Sequence, residues 1–127
     1  MKITDWIISE TENWVAVNKP SGLLSIPDRE GKEISLKVLL KEKYGNIFTV
    51  HRIDRDTSGL IVFAKNEAAH KHLCKQFEDR QTKKIYTGLV IGSPANKKGS
   101  IDSPIVEHPA LNGTMIIHRK GKESLTD

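Results

Sequence analysis

The chain has 127 residues, 37% hydrophobic and 28% charged, with 20 Lys and Arg against 16 Asp and Glu for a formal net charge of +4. That length bounds it to one domain at most, and the composition is that of an ordinary globular chain rather than an acidic solvating tail; a polyanionic partner stays open without being required. No apolar run approaches the roughly 18–20 residues that span a bilayer, the opening residues carry no secretory core, and the lone Cys74 cannot close an intramolecular disulfide, so a reduced cytoplasmic setting is the default.

In chain order, residues 14–18 (WVAVN) alternate apolar with small or polar side chains, which predicts a strand. Lys19-Pro20-Ser21-Gly22 stops it, because proline removes a donor and glycine tolerates positive φ. Ser35 caps a helix running to about Tyr44, with Leu36, Leu39 and Leu40 on one face, and Gly45-Asn46 ends it. Residues 60–64 (LIVFA) read as a strand buried on both faces. Asn66 caps a second helix over about residues 67–80, with a stripe of Ala69, Leu73 and Phe77 and Glu67 at the positive end of its dipole. Residues 84–91 predict another strand, closed by Gly92-Ser93-Pro94. Residues 114–118 predict a further strand, Gly121 breaks it, and a new extended segment begins near Ser124. Strands mixed with a few helices give an α+β domain. The end at Leu125-Thr126-Asp127 carries no stop signal and reads as a cut through a larger domain.

The densest polar cluster is His51-Arg52-Ile53-Asp54-Arg55-Asp56-Thr57-Ser58-Gly59, directly before the second predicted strand. So many polar side chains beside a core must either pair or face a cleft. One reading is a charged turn, with Asp54 and Asp56 paired to Arg52 and Arg55 and Thr57-Ser58-Gly59 making the bend. The other is a loop presenting an ionised carboxylate flanked by guanidinium groups. Neighbouring cations favour the charged form, so such an aspartate is available as a nucleophile.

This segment, with Leu60 and the following Ala64-Lys65, resembles the H-R-[LI]-D-x-x-T-S-G signature of RluA-family RNA pseudouridine synthases. Three more segments match in order. Val17-Asn18-Lys19-Pro20-Ser21-Gly22-Leu23 is similar to the family's early N-K-P-x-G-L element. Phe77, Arg80, Lys84 and Tyr86 fit F-x-x-R-x-x-x-K-x-Y, and Gly121-Lys122 with Thr126 fits G-K-x-x-x-T. The sister RsuA family, with G-R-L-D in place of H-R-[LI]-D, resembles the chain less.

The resemblance implies a mixed, largely antiparallel sheet with flanking helices. It implies that Asp54 is the catalytic aspartate, the nucleophile or essential base of uridine isomerisation, and that Tyr86 lies against the target base and assists proton removal. Arg52 would hold the flipped nucleotide or fill its vacated place, and Arg55 would flank the aspartate on the substrate side. Thr57, with Ser58 and Gly59, would hold the loop, and His51 would be structural or face RNA. The reaction breaks the N1–C1′ bond of uridine and rejoins the base through C5, so it needs no cofactor; no Walker or GxGxxG loop is present. The implied partner is structured RNA, ribosomal or transfer, with no DNA and no membrane. The lysine groups Lys83-Lys84 and Lys97-Lys98, with Arg119, Lys120 and Lys122, would track its backbone.

The family's domain continues past this chain into an R-T-H-Q-I-R type motif whose arginine pairs with the aspartate. The expectation is therefore that residues 1–127 are the N-terminal portion of one catalytic domain, without an S4-type domain, and by themselves have little isomerase activity. Such a portion would expose an edge through which copies could associate. The alternative function is a non-catalytic RNA-binding module of the same fold. A metal protein is not supported: His70 and His72 are two apart and diverge on a helix, while His51, His108 and His118 are scattered. Cys74 reads as a small helix residue.

Overall fold

The computed structural model of the chain describes residues 2–110 and 115–127. The described residues fall into two compact units, one ending at Ile85 and the other beginning at Tyr86. Every strand pair in them is antiparallel, with a single isolated parallel bridge between Leu24 and Ser35. Two helices accompany the sheets, so the α+β expectation holds.

The first unit is a four-stranded sheet in the order β1-β2-β4-β3. Its elements are β1 (Ile7–Glu10), β2 (Trp14–Lys19), α1 (Leu36–Tyr44), β3 (Phe48–Thr49), β4 (Gly59–Ala64) and α2 (Glu67–Glu78). The predicted strand over residues 14–18 is β2, one residue longer, and its antiparallel register sets Val15 opposite Phe63 and Val17 opposite Ile61. Side chains alternate across a strand, so these four share one face. They form the core with Leu36 and Leu40 of α1, Ile47 and Ile53. Ser35 caps α1 as expected, its hydroxyl accepting from the Val38 amide at 3.3 Å, and Gly45 ends it at φ 85°. Asn66 caps α2 through the Ala69 amide at 2.8 Å. That helix stops at Glu78, two residues short of the expectation, and Arg80 turns to φ 55°.

Two expectations need correction. The strand at residues 60–64 is not buried on both faces: Ile61, Phe63 and Ala64 are buried, but Leu60 is 64% exposed and Val62 only partly covered. An unbroken apolar run does not reveal that only one face of the sheet is fully packed. The strand expected over residues 84–91 does not form; that segment carries no regular structure, and Leu89 and Ile91 are fully exposed. A strand exists only with a neighbour to complete its ladder, and no described strand pairs with this one. Conversely β1 and β3 were not anticipated. Both are short edge strands whose identity comes from pairing with β2 and β4 rather than from their own pattern.

The second unit holds β5 (Ile101–Asp102), β6 (Ile105–Glu107), β7 (Met115–Ile117) and β8 (Leu125–Thr126). β6 pairs with β7 and β5 with β8. The strand expected over residues 114–118 is β7; Thr114 lies outside the described residues. β8 is the extended segment expected near Ser124. Gly121 sits directly against the Ile105 backbone, where a Cβ would overlap the carbonyl. The Lys122 amide donates to Ile105 O at 2.7 Å, and the Ile105 amide returns a bond to Lys122 O at 3.0 Å.

Candidate active-site loop

The polar cluster is the connection between β3 and β4. Arg52 and Asp54 face solvent, while Ile53 between them is 7% exposed and plugs into the core. The Thr57 amide donates to Asp54 O at 3.1 Å, so Asp54 opens a tight turn over residues 54–57. The carboxylate of Asp54 carries no hydrogen bond or ion pair to another described side chain, and neither does the guanidinium of Arg52. Only half of the charged-turn pairing is realised. Arg55, half exposed, lies 3.5 Å from Asp56 and 3.3 Å from Glu33.

The loop is held from behind by residues 19–25, which follow β2. Ser25, buried, donates its hydroxyl to Ile53 O at 2.5 Å and accepts from the Ile53 amide at 3.2 Å. Both backbone groups of the residue before Asp54 are thereby satisfied, as buried backbone requires. Ser21 Oγ donates to Asp56 O at 2.7 Å, and the Gly22 amide to Arg55 O at 2.8 Å. Gly22 reaches that position at φ 90°, a conformation a side chain would oppose. Lys19 Nζ, fully buried at the end of β2, also donates to Arg55 O at 2.9 Å. Its burial lowers the ammonium pKa from the usual lysine range, and the Asp56 and Asp54 carboxylates oppose that shift.

His51 sits on the inner side of the loop. Its Nε2 accepts from the Val62 amide at 3.1 Å, and its ring stacks on Phe77 of α2 with centroids 4.4 Å apart. Accepting through Nε2 requires the neutral ring, and burial, with the Lys84 cation second, pushes its pKa below the ordinary histidine value. Of the expected site residues, Asp54, Arg55 and Thr57 thus share one turn, Arg52 lies two residues before it, and His51 lies behind it. Thr57 contributes its amide to the turn. Tyr86 belongs to the other unit, where its side chain is 65% exposed. Lys19 and Ser25 escaped attention as loop supports. A lysine closing a buried strand just before Pro-x-Gly was the available signal for the first; nothing local distinguishes Ser25.

Elsewhere, a surface cluster staples β1 to α1 and β4. The Tyr44 hydroxyl donates to Glu10 Oε2 at 2.5 Å, and Lys65 Nζ donates to the same oxygen at 2.8 Å. Burial, with the Glu10 hydrogen bond second, pushes the Tyr44 phenol up to about 12. Among the described residues no three His, Cys, Asp or Glu side chains converge as a metal site. No described helix is long and apolar enough to cross a membrane.

Residues 13–126 match the family model described as RNA pseudouridylate synthase. The chain is 44% identical over 122 residues to the dual-specificity RNA pseudouridine synthase RluA of Vibrio vulnificus (strain CMCP6), covering 94% of this chain and 49% of that one. It is 36% identical over 123 residues to the protein of the same name from Escherichia coli (strain K12), covering 95% and 56%. Among solved structures, human RNA Pseudouridylate Synthase Domain Containing 1 superposes with a TM-score of 0.75 at 24% identity, covering 94% of this chain and 49% of that chain; this likeness bears on the fold alone. The chain spans about half the length of the curated relatives it matches.

Proposed function

The chain belongs to the RNA pseudouridylate synthase family, and from that premise we propose that it supplies the catalytic-aspartate loop of an enzyme isomerising uridine to pseudouridine in structured RNA. The observation that carries the reading is Asp54 itself. It is an exposed carboxylate with no ion-pair partner among the described residues, at the head of a turn whose backbone is tied from behind at Ile53, Arg55 and Asp56. A structural aspartate is normally consumed by its own turn or by a neighbouring cation, whereas a nucleophile or base must be presented to a ligand.

In this reading the target uridine leaves its stack, which costs a few kcal/mol. Asp54 acts as nucleophile or essential base while the N1–C1′ bond breaks, the uracil turns, and C5 bonds to C1′; the proton removed from C5 is balanced by one gained at N1. Nothing is oxidised and no group is lost, so the isomerisation itself calls for no redox partner. Arg52, also exposed, holds the flipped nucleotide or fills its vacated place. Tyr86 stacks against the base and assists removal of the proton, and stacking of this kind contributes about 1–3 kcal/mol per base. His51 keeps the loop seated. The substrate is ribosomal or transfer RNA in the cytoplasm. The relatives' twofold greater length supports reading residues 1–127 as the N-terminal portion of one catalytic domain that is largely inactive by itself.

The test is Asp54→Asn in the longer protein. Pseudouridine formation is expected to vanish while RNA affinity stays within a few fold. Unchanged isomerisation overturns the catalytic assignment. RNA binding without isomerisation by the unsubstituted protein would favour a non-catalytic RNA-binding module instead.

A further inference from the structure

Lysine is almost never fully buried unless its charge is matched, yet Lys19 has no solvent exposure at all. The described structure places no carboxylate within ion-pair distance of it. Instead its ammonium points into three backbone carbonyls: Pro20 O at 3.0 Å, Leu23 O at 2.6 Å and Arg55 O at 2.9 Å. An ammonium has three N–H donors and no acceptor, so its hydrogen-bonding capacity is saturated. Two of the carbonyls belong to the loop that follows β2, and the third belongs to the residue after Asp54. We infer that Lys19 is a positioning residue for the Asp54 turn, acting through the Arg55 carbonyl. It joins two loops that lie 36 positions apart in the chain.

Three features make this a coupling rather than a burial accident. The β2–β4 register sets Lys19 opposite Gly59, so the ends of both loops meet at the end of the same strand pair. Arg55 O accepts from Lys19 Nζ and from the Gly22 amide at 2.8 Å, which occupies both of its lone pairs and fixes the direction of the Arg55–Asp56 peptide, inside the turn that Asp54 opens. Asp54 and Asp56 lie close enough for their charges to offset part of the ammonium's desolvation. The turn that presents the carboxylate is therefore built around a buried cation. Arginine cannot reproduce this. Its planar fork directs five donors in one plane, whereas the three carbonyls surround a point charge. The catalytic consequence rests on the Asp54 reading above, but the positioning does not.

The test uses the full chain and reads the turn directly. In the wild-type protein, lysine ¹⁵N–¹H spectra should show one slowly exchanging ammonium, assignable to Lys19, against the rapidly exchanging surface lysines. Lys19→Met should raise amide exchange at Gly22 and Thr57 by at least roughly tenfold, the scale of losing one hydrogen bond from a charged donor. It should also move the Asp54 side-chain carboxyl ¹³C shift. Exchange at Lys65, whose amide bonds Asn13 O at 2.8 Å beyond the far end of the β2–β4 ladder, should stay within about twofold after correction for global stability. Lys19→Arg should behave like Lys19→Met. Unchanged protection at Gly22 and Thr57, or protection restored by arginine, overturns the inference. If Lys19→Met does not fold, the wild-type ammonium signal decides, and a rapidly exchanging Lys19 overturns it. Asp54→Asn should leave the protection at Gly22 and Thr57 in place, so failure of the catalytic reading and failure of this one are separately visible.

Discussion

Ser25→Ala removes a single buried oxygen that serves both backbone groups of Ile53, donating at 2.5 Å to its carbonyl and accepting at 3.2 Å from its amide. Ser25 is 3% exposed and Ile53 7%, so water does not readily replace the lost hydroxyl. Leaving a buried donor or acceptor unpaired costs about 1–3 kcal/mol each, and the small gain in apolar character at Ala offsets little of it. The expected loss is therefore about 2–6 kcal/mol for the two groups together, a large fraction of the stability of a typical domain. Both tryptophans, Trp6 and Trp14, lie in the first unit, so urea unfolding followed by tryptophan fluorescence reports on that unit. The midpoint should fall with the slope unchanged. Ser21→Ala is the control. Its hydroxyl also bonds the loop, at Asp56 O, but the site is exposed and water can substitute, so the change should stay within about 0.5 kcal/mol. A Ser25→Ala loss no larger than that of Ser21→Ala would show that the Ile53 backbone does not depend on the serine, and the account of how the Asp54 turn is seated would fail.

Further outcomes follow from other contacts. His51 is held neutral, with its folded pKa below the ordinary value of 6.5. Between that lowered pKa and 6.5 the unfolded chain binds more protons, so this contribution to stability is present above pH 6.5 and is lost as pH falls through the window. His51→Gln should flatten the dependence in urea unfolding between pH 7 and pH 5, and an unaltered slope would contradict the placement of the ring. Gly121→Ala puts a Cβ into the Ile105 backbone, where no rotamer change relieves it, and should cost about 1–3 kcal/mol locally. Faster amide exchange at Lys122 and Ile105 with the first unit unaffected is the expected result; unchanged exchange would refute the close approach.

The legible parts of this protein were those with local causes. Ser35 and Asn66 cap their helices because a side-chain oxygen reaches an amide three residues on, and that geometry is independent of the rest of the chain. Alternation in residues 14–18 and the spacing of Leu36 and Leu40 marked the core face for the same reason. The order of the residues from His51 to Gly59, with the N-K-P, K-x-Y and G-K elements around them, was enough to identify the family.

Pairing and burial were not legible, because they depend on what else arrives. The segment over residues 84–91 has every residue a strand needs but no described neighbour to bond, and β3 is a strand on two residues only because β4 lies beside it. Leu60 belongs to an apolar run but faces out, since burial is decided by what covers the sheet face. The same holds at the site. Sequence singled out Asp54, but only the tertiary structure gave it its surroundings. Lys19, Ser21, Gly22 and Ser25 come from a segment about 30 positions away, and the strand register brings them under the turn. A lysine's meaning changes completely between solvent and a cage of three carbonyls. No local pattern of residues encodes that difference, because it arises from desolvation by a chain that has already folded.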